Sequence, residues 1–205
     1  MHDHIAVLLL AAGAATRMRG RDKLLEEVAG QPLLARMIAR AQATGYEVLV
    51  TLPDLAHPRA LLAKDTHRVP VPDAAEGMAA SIRAGVRALP GHITGVMILP
   101  ADMPELTTAD LRNMGEAFEA SGSDPEGAIC RATGQDQAGH TVPGHPVLFP
   151  RRCFDALKQL SGDAGARHVL NGEQLRSVAL PAAHALTDLD TPEAWDAWRQ
   201  QHDRR

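Results

Sequence analysis

Residues 5–10, IAVLLL, are apolar at every position. A strand with one wet face alternates, so an unbroken run predicts a strand covered by helices above and below. It empties into Ala11-Ala12-Gly13. The segment PLLARMIARAQATG, starting at Pro32, places apolar residues at Leu33, Leu34, Met37, Ile38 and Ala41. That spacing predicts a helix with proline in its first turn and Gly45 as its stop. YEVLVTLP (46–53) reads as the next strand, and strand, helix, strand in this order predicts a right-handed parallel crossover. After a short segment, HRVPVPD (67–73), MAASIRAGVRAL (78–89) predicts a helix and ITGVMILPAD (93–102) a buried strand ending on an acid. TTADLRNMGEAFEAS (107–121) predicts a helix capped by Thr107 or Thr108. EGAICRAT and GHPVLFP are candidate strands on either side of a polar, glycine-rich loop, GQDQAGHTVPG. CFDALKQL and ARHVLNG predict short helices, QLRSVALP a late strand and TPEAWDAWRQQ a closing helix. With no internal repeat or low-complexity linker, the alternation predicts one domain over residues 1–205. Its expected architecture is an α/β three-layer αβα sandwich.

Composition narrows the functional classes. A net charge of −4 is unsuited to a general nucleic-acid coat or a membrane patch, so any anion binding must be local. Three Phe, two Trp and one Tyr leave few platforms for stacking single-stranded nucleic acid. Cys130 and Cys153 are too few and too isolated for a zinc knuckle or disulfide framework, and are expected as free thiols in a reducing cytosol. The start MHDHIAVLLLAAG has no basic n-region, and no apolar run approaches bilayer length. A cytoplasmic protein without nucleic-acid or membrane partners is expected.

The local anion site is sought after the first strand, where the loop carries Arg17, Arg19, Arg21 and Lys23. Ligands gather at the carboxyl ends of strands in an open α/β sheet. Ala11, Ala12 and Gly13 have almost no side chain, so a ligand can approach their backbone N–H groups, and such groups before a helix cradle anions. Arg17 and Lys23 can reach phosphate oxygens from the same loop. Neither G-x-G-x-x-G nor the P-loop pattern fits here. Asp102, at the end of its strand and followed by Pro104, suits Mg²⁺, which takes a few carboxylates and completes its shell with phosphates and water; a turn or capping role is the alternative. Asp188 and Asp190 lie on one side of an extended segment before Pro192, where Asp190 could instead cap the last helix. His145 could donate to a substrate oxygen or be structural. His2 and His4 read as tail residues, His140 as solvated, and Trp195 and Trp198 as packing. Asp163 and Arg167 are spaced for an i,i+4 pair.

LAAGAATRMRGRDKLL resembles the L-A-[AG]-G-x-S-x-R-M-G-…-K signature of the nucleotidyltransferases of molybdenum cofactor, and most of all the cytidylyltransferase branch. EGMAASIRAG (76–85), PADMP (100–104), GHPVLFP (144–150), LSGDAGARHVL (160–170) and DLDTPE (188–193) resemble that branch's later motifs, in its order. Two positions depart from it: Ala15 replaces the usual Ser, leaving Thr16 as the nearby hydroxyl, and Arg19 stands where Gly is expected, with Gly20 next.

The resemblance implies a Rossmann-like, mostly parallel sheet of the nucleotide-diphospho-sugar transferase type. It also implies an Mg²⁺-dependent enzyme that transfers CMP from CTP to the terminal phosphate of a molybdenum-pterin, releasing pyrophosphate. By this likeness Leu10, Ala11, Ala12 and Gly13 would meet base and phosphates, and Gly77 and Ser81 would frame base and ribose. Arg17 and Lys23 would bind the triphosphate, and Asp102 with Asp190 would hold Mg²⁺. Gly144, His145, Pro146, Asp163 and Asp188, with Gly162 and Gly165, would face the pterin, and a recipient molybdoenzyme is a possible partner. Ala12 in place of a second Gly leans towards CTP. Two alternatives stay open: the same chemistry with GTP or another phosphate acceptor, and a carrier of the cofactor without turnover, which has no need of a metal-triphosphate site.

Overall fold

The apolar run at the start of the chain becomes the middle of a seven-stranded sheet. The computed structural model describes residues 4–122, 127–162 and 165–202. Its first half contains β1 (Ile5–Leu10), a small hairpin of β2 (Glu27–Val28) and β3 (Gln31–Pro32), α1 (Leu33–Gln42), β4 (Glu47–Leu52), α2 (Arg59–Leu62), β5 (His67–Pro70) and α3 (Met78–Arg87). Then come β6 (Gly95–Pro100), α4 (Thr108–Glu119), β7 (Ile129–Gln135), β8 (Thr141–Pro150), α5 (Phe154–Leu157), α6 (Arg167–Leu170), β9 (Leu175–Ala179) and α7 (Pro192–His202). The sheet order is β5-β4-β1-β6-β8-β7-β9, and β8 alone runs against the others.

Alternation within β1 divides its side chains between two cores. Ile5, Val7 and Leu9 pack with Met37 of α1, Met114 of α4 and Trp195 of α7, while Ala6 and Leu8 pack with Ile82 and Val86 of α3. Helices therefore cover both faces, as a three-layer αβα sandwich requires. On the α3 side the approach is close: a Cβ at Gly85 would come within 2.3 Å of the Leu8 side chain. Among the described residues, no helix is long and apolar enough to cross a membrane. Both cysteines are buried, and neither forms a disulfide among the described residues.

The expected loop between the late strands is shorter than its composition suggests. β7 and β8 extend into it, pairing Gln135 with Thr141. Asp136 closes the remaining turn by accepting the backbone N–H groups of Ala138 and His140. Polar residues on a hairpin that leaves the core carry no apolar alternation, which is why the pattern read as loop.

Candidate active site

Register brings three strand ends level. Leu10 pairs with Thr51 on one side and Pro100 on the other, so the loop after β1 lies between the ends of β4 and β6. The loop is fastened from beneath. Thr51 Oγ1 accepts the Ala11 N–H at 3.1 Å. Arg59, only 2% exposed, donates from Nη1 to the carbonyls of Ala11 and Gly13 at 2.6 and 2.9 Å. Its Nε and Nη2 grip both oxygens of Asp22, at 2.8 and 2.7 Å. With those carbonyls held below, the N–H groups of Gly13, Ala14 and Ala15 have no partner among the described residues, and these three residues line a cleft of about 500 Å³. Successive free N–H groups of this kind attract anions.

Leu10, Thr16, Arg17, Lys23, Gly77, Ser81, Asp102 and Asp190 line the same cleft. Ala11 and Ala12 do not. Ala11 is buried in the core with its N–H spent on Thr51, and the Ala12 side chain packs with Val71 and Ala80. The open part of the cradle is therefore one to two residues later than sequence spacing alone suggests. Thr16–Met18 forms a single 3-10 turn, and Arg19 follows in the left-handed region at φ 53°, at the position where the family signature carries glycine.

Charge is concentrated at one point. Lys23 Nζ donates to Asp102 Oδ2 and to Asp190 Oδ1, both at 2.5 Å, and Arg17 Nη1 reaches Asp190 Oδ2 at 2.9 Å. Burial opposes the Lys23 charge, yet Asp102 and Asp190 outweigh it and hold its pKa above the ordinary lysine value. Asp190 is free for this because Thr191, through its Oγ1, caps α7 by accepting the Ala194 N–H. Asp188 lies near the same charges. Burial first, then Asp190 and Asp102, push its pKa up. Asp102 Oδ1 is buried with no hydrogen-bond partner. Among the described residues no group of three or more His, Cys, Asp or Glu is gathered as a metal site.

The residues assigned to the pterin by resemblance are dispersed. His145 lines a separate cavity with Gly165, whereas Gly144 and Pro146 line none of the cavities described here. Gly144 has a packing reason to be glycine, since a Cβ there would meet the Ala185 carbonyl oxygen at 2.0 Å. Gly162 is exposed, and Asp163 lies outside the described residues. Arg59, Asp22 and Thr51 were not singled out by sequence reasoning. Asp22 sat within a visible charge run, but Arg59 and Thr51 carry no motif and are recognisable only from their contacts.

Residues 7–179 match the family described as the MobA-like NTP transferase domain. The molybdenum cofactor guanylyltransferase of Pseudomonas aeruginosa (strain LESB58) is 30% identical, over 92% of this chain and 91% of that protein. The bifunctional protein GlmU of Clavibacter sepedonicus is 36% identical over 71% of this chain, which spans only 31% of that longer protein. Among solved structures, Rv0371c from Mycobacterium tuberculosis H37Rv superimposes with a TM-score of 0.81 at 26% identity, covering 96% of this chain and 98% of that one. The same protein has been solved in complex with manganese, with a TM-score of 0.74, 25% identity, and coverage of 95% of this chain and 97% of that one. The sheet, the cleft at its strand ends and the matched span agree: the chain belongs to the MobA-like NTP transferase family.

Proposed function

We propose that this nucleotidyltransferase-family protein transfers CMP from CTP to the terminal phosphate of a molybdenum-bearing pterin, releasing pyrophosphate. The observation that carries the reading is Lys23 held between Asp102 and Asp190 beside the free N–H groups of Gly13–Ala15. An oxygen of the acceptor phosphate forms the new bond to the α-phosphorus as the bond from α-phosphorus to the β-bridging oxygen breaks. Pyrophosphate carries away that electron pair. The acceptor is already an anion at neutral pH, so no general base is required. The obstacle is the approach of two anions, which positioned cations and dipoles offset. The loop N–H groups and Arg17 hold the triphosphate, and Lys23 is placed to follow negative charge onto the leaving group.

The residues present fit Mg²⁺. A buried carboxylate oxygen without a donor, on Asp102, is an unusual thing to leave unsatisfied, and Asp190 is its neighbour across Lys23. Asp102 and Asp190 would hold the ion, with phosphate and water oxygens completing its shell. When bound it supplies positive charge to phosphate oxygens. The manganese complex of Rv0371c, whose structure superimposes on this chain, supports a divalent cation here.

The choice of CTP rests on the A-A-G form of the first loop. A guanylyl reading has its own support, since the P. aeruginosa relative is a guanylyltransferase. Product would then pass to a recipient molybdoenzyme. A panel of CTP, GTP, ATP and UTP with Mg²⁺ and either molybdenum-loaded or metal-free pterin tests all of this through pyrophosphate release. Release with CTP and the loaded pterin is expected. Release with GTP alone replaces the cytidylyl reading, and no release with any pair removes the enzyme reading in favour of a carrier.

A further inference from the structure

Neither carboxylate oxygen of Asp190 is spare. Its Oδ1 accepts from Lys23 Nζ at 2.5 Å, and its Oδ2 accepts from Arg17 Nη1 at 2.9 Å. The same ammonium reaches across to Asp102 Oδ2, also at 2.5 Å, so one compact cation already bridges the two carboxylates that Mg²⁺ would use. Only Asp102 Oδ1 is left, buried and without a hydrogen-bond partner among the described residues. An ion that takes an oxygen from both carboxylates must therefore part Asp190 from Lys23 or from Arg17.

The charges at this point balance, with Lys23 and Arg17 matching Asp102 and Asp190 one for one. A divalent cation added alone would leave an excess of positive charge where Lys23 and Asp102 are largely out of water. Repulsion there is stronger than at a solvated surface. A triphosphate brings the negative charge that offsets it, and Gly13, Ala14 and Ala15, with their free N–H groups, line the same cleft.

Lys23 can make the exchange without moving its loop. Asp22 before it is gripped by Arg59, and the Leu24 N–H after it donates to Asp22 Oδ1 at 3.0 Å. The Leu24 carbonyl in turn accepts the Leu34 N–H at 3.0 Å. What can turn is the flexible four-carbon stem, which carries a point charge with no fixed fork to realign. We infer that Lys23 stands in for the metal: it neutralises Asp102 and Asp190 until a complex of a divalent ion with a triphosphate arrives. Lys23 and Arg17 then exchange carboxylate oxygens for phosphate oxygens, and no covalent bond changes. The cleft thus takes the ion together with a triphosphate and disfavours the ion alone. This rests on the assignment of Asp102 and Asp190 as the ion's ligands.

Mn²⁺ binding without nucleotide, followed by the electron paramagnetic resonance signal of the free ion, tests the exchange. Lys23→Met removes the charge and keeps the length, and should bind Mn²⁺ at least about ten-fold more tightly than the parent. Lys23→Arg keeps a cation and should show no gain. Adding Asp102→Asn to Lys23→Met should abolish the gain, which places it at these carboxylates. A second measurement uses the parent alone, so it holds even if a variant fails to fold. Acetylation of Lys23, read by mass spectrometry against the exposed Lys64, should rise several-fold at saturating Mn²⁺. Equal Mn²⁺ affinity in the parent and Lys23→Met, or Lys23 acetylation that Mn²⁺ does not alter, overturns the exchange and leaves the metal assignment in place. If no protein retains Mn²⁺, or if Asp102→Asn leaves the gain intact, the metal assignment falls and the exchange with it. None of these readings depends on turnover, so they are independent of which base or acceptor the protein uses.

Discussion

Lys23 sits where burial and charge act in opposite directions, and the two carboxylates prevail. Because its folded pKa is raised, its contribution to stability is complete below the unfolded lysine value of about 10.4 and is lost as pH rises through the higher folded value. Its side chain is only 17% exposed, held against the two carboxylates and largely out of water. Lys23→Ala should therefore lower stability by about 1–3 kcal/mol, less than a fully buried pair because Asp190 keeps partial access to water. Its larger effect is on turnover, which should fall by roughly two to three decades, matching about 2–4 kcal/mol of lost transition-state stabilisation. Near-parent turnover at saturating substrates would show that this charge is not used in the reaction. Asp102→Asn keeps the shape and removes the charge. Activity should collapse at the parent's Mg²⁺ optimum and return in part with more Mg²⁺ or with Mn²⁺, while the variant stays folded at a stability cost of about 1–3 kcal/mol, similar to that of Lys23→Ala, from the broken ion pair. An unchanged metal titration would move the ion elsewhere. Asp188 differs from Lys23 in that its raised pKa marks a charged form that the site disfavours. An acid with a raised folded pKa keeps its proton in the native state where the unfolded chain has lost it, so stability falls as pH rises through that window. Asp188→Asn should raise Tm at pH 7 by about 1–2 °C after allowance for partial exposure, and the gain should vanish below the ordinary carboxylate pKa. A lower Tm at pH 7 would mean that the carboxylate is needed for packing.

At the scale of elements, the loop after β1 owes its shape to α2, a helix of 4 residues. Arg59 from that helix ties the two loop carbonyls and Asp22 together, and a guanidinium is the one side chain with enough directed donors to do so. Arg59→Lys keeps the charge but not the fork. The expected result is a nucleotide KM raised at least about ten-fold, on the scale of one lost charge-assisted hydrogen bond, with the acceptor KM little changed. Equal rises in both KM values would indicate a general loss of structure instead of a misplaced loop. Much of the element order is legible in the chain. The apolar run of β1, the periodicity and first-turn proline of α1, and Thr107 as cap of α4 all express local chemistry. Thr107 also accepts the Asp110 N–H and forms a capping box with it. The parts that could not be read arise from long-range contact. Nothing near Arg59 in sequence announces the carbonyls 46 and 48 residues away that it serves. Asp190, equally plausible as a helix cap, is assigned by Thr191 taking that task.

At the scale of the whole molecule, the cleft is opened by the first strand and closed by the last helix. The matched family span ends at residue 179, yet the chain beyond it supplies Asp190 to Lys23 and Arg17, and Glu193 to Arg19. The Leu189 N–H also donates to the carbonyl of Asp102 at 3.2 Å, joining the two acidic segments through their backbones. What holds this late segment in place is packing. Trp195 is fully buried in the core with Ile5, Val7 and Leu9, and Trp198 donates to Glu105 at 2.8 Å. Anchor and reagent are thus different side chains, Trp195 in α7 and Asp190 in the segment before it, and they can be separated. Trp195→Ala should cost about 3–5 kcal/mol of stability through lost burial and the cavity left behind. At a temperature where that variant is still folded, its Mg²⁺ requirement should match the parent's if the segment redocks. Asp190→Asn should do the reverse: a small change in Tm, with the Mg²⁺ needed for half-maximal rate moved upwards by several-fold, a milder form of the Asp102→Asn defect. Metal titrations of the two variants beside their melting curves distinguish the roles. If Asp190→Asn kept the parent's Mg²⁺ dependence, the last segment would serve packing alone, and Asp102 would have to find its second carboxylate in Asp188.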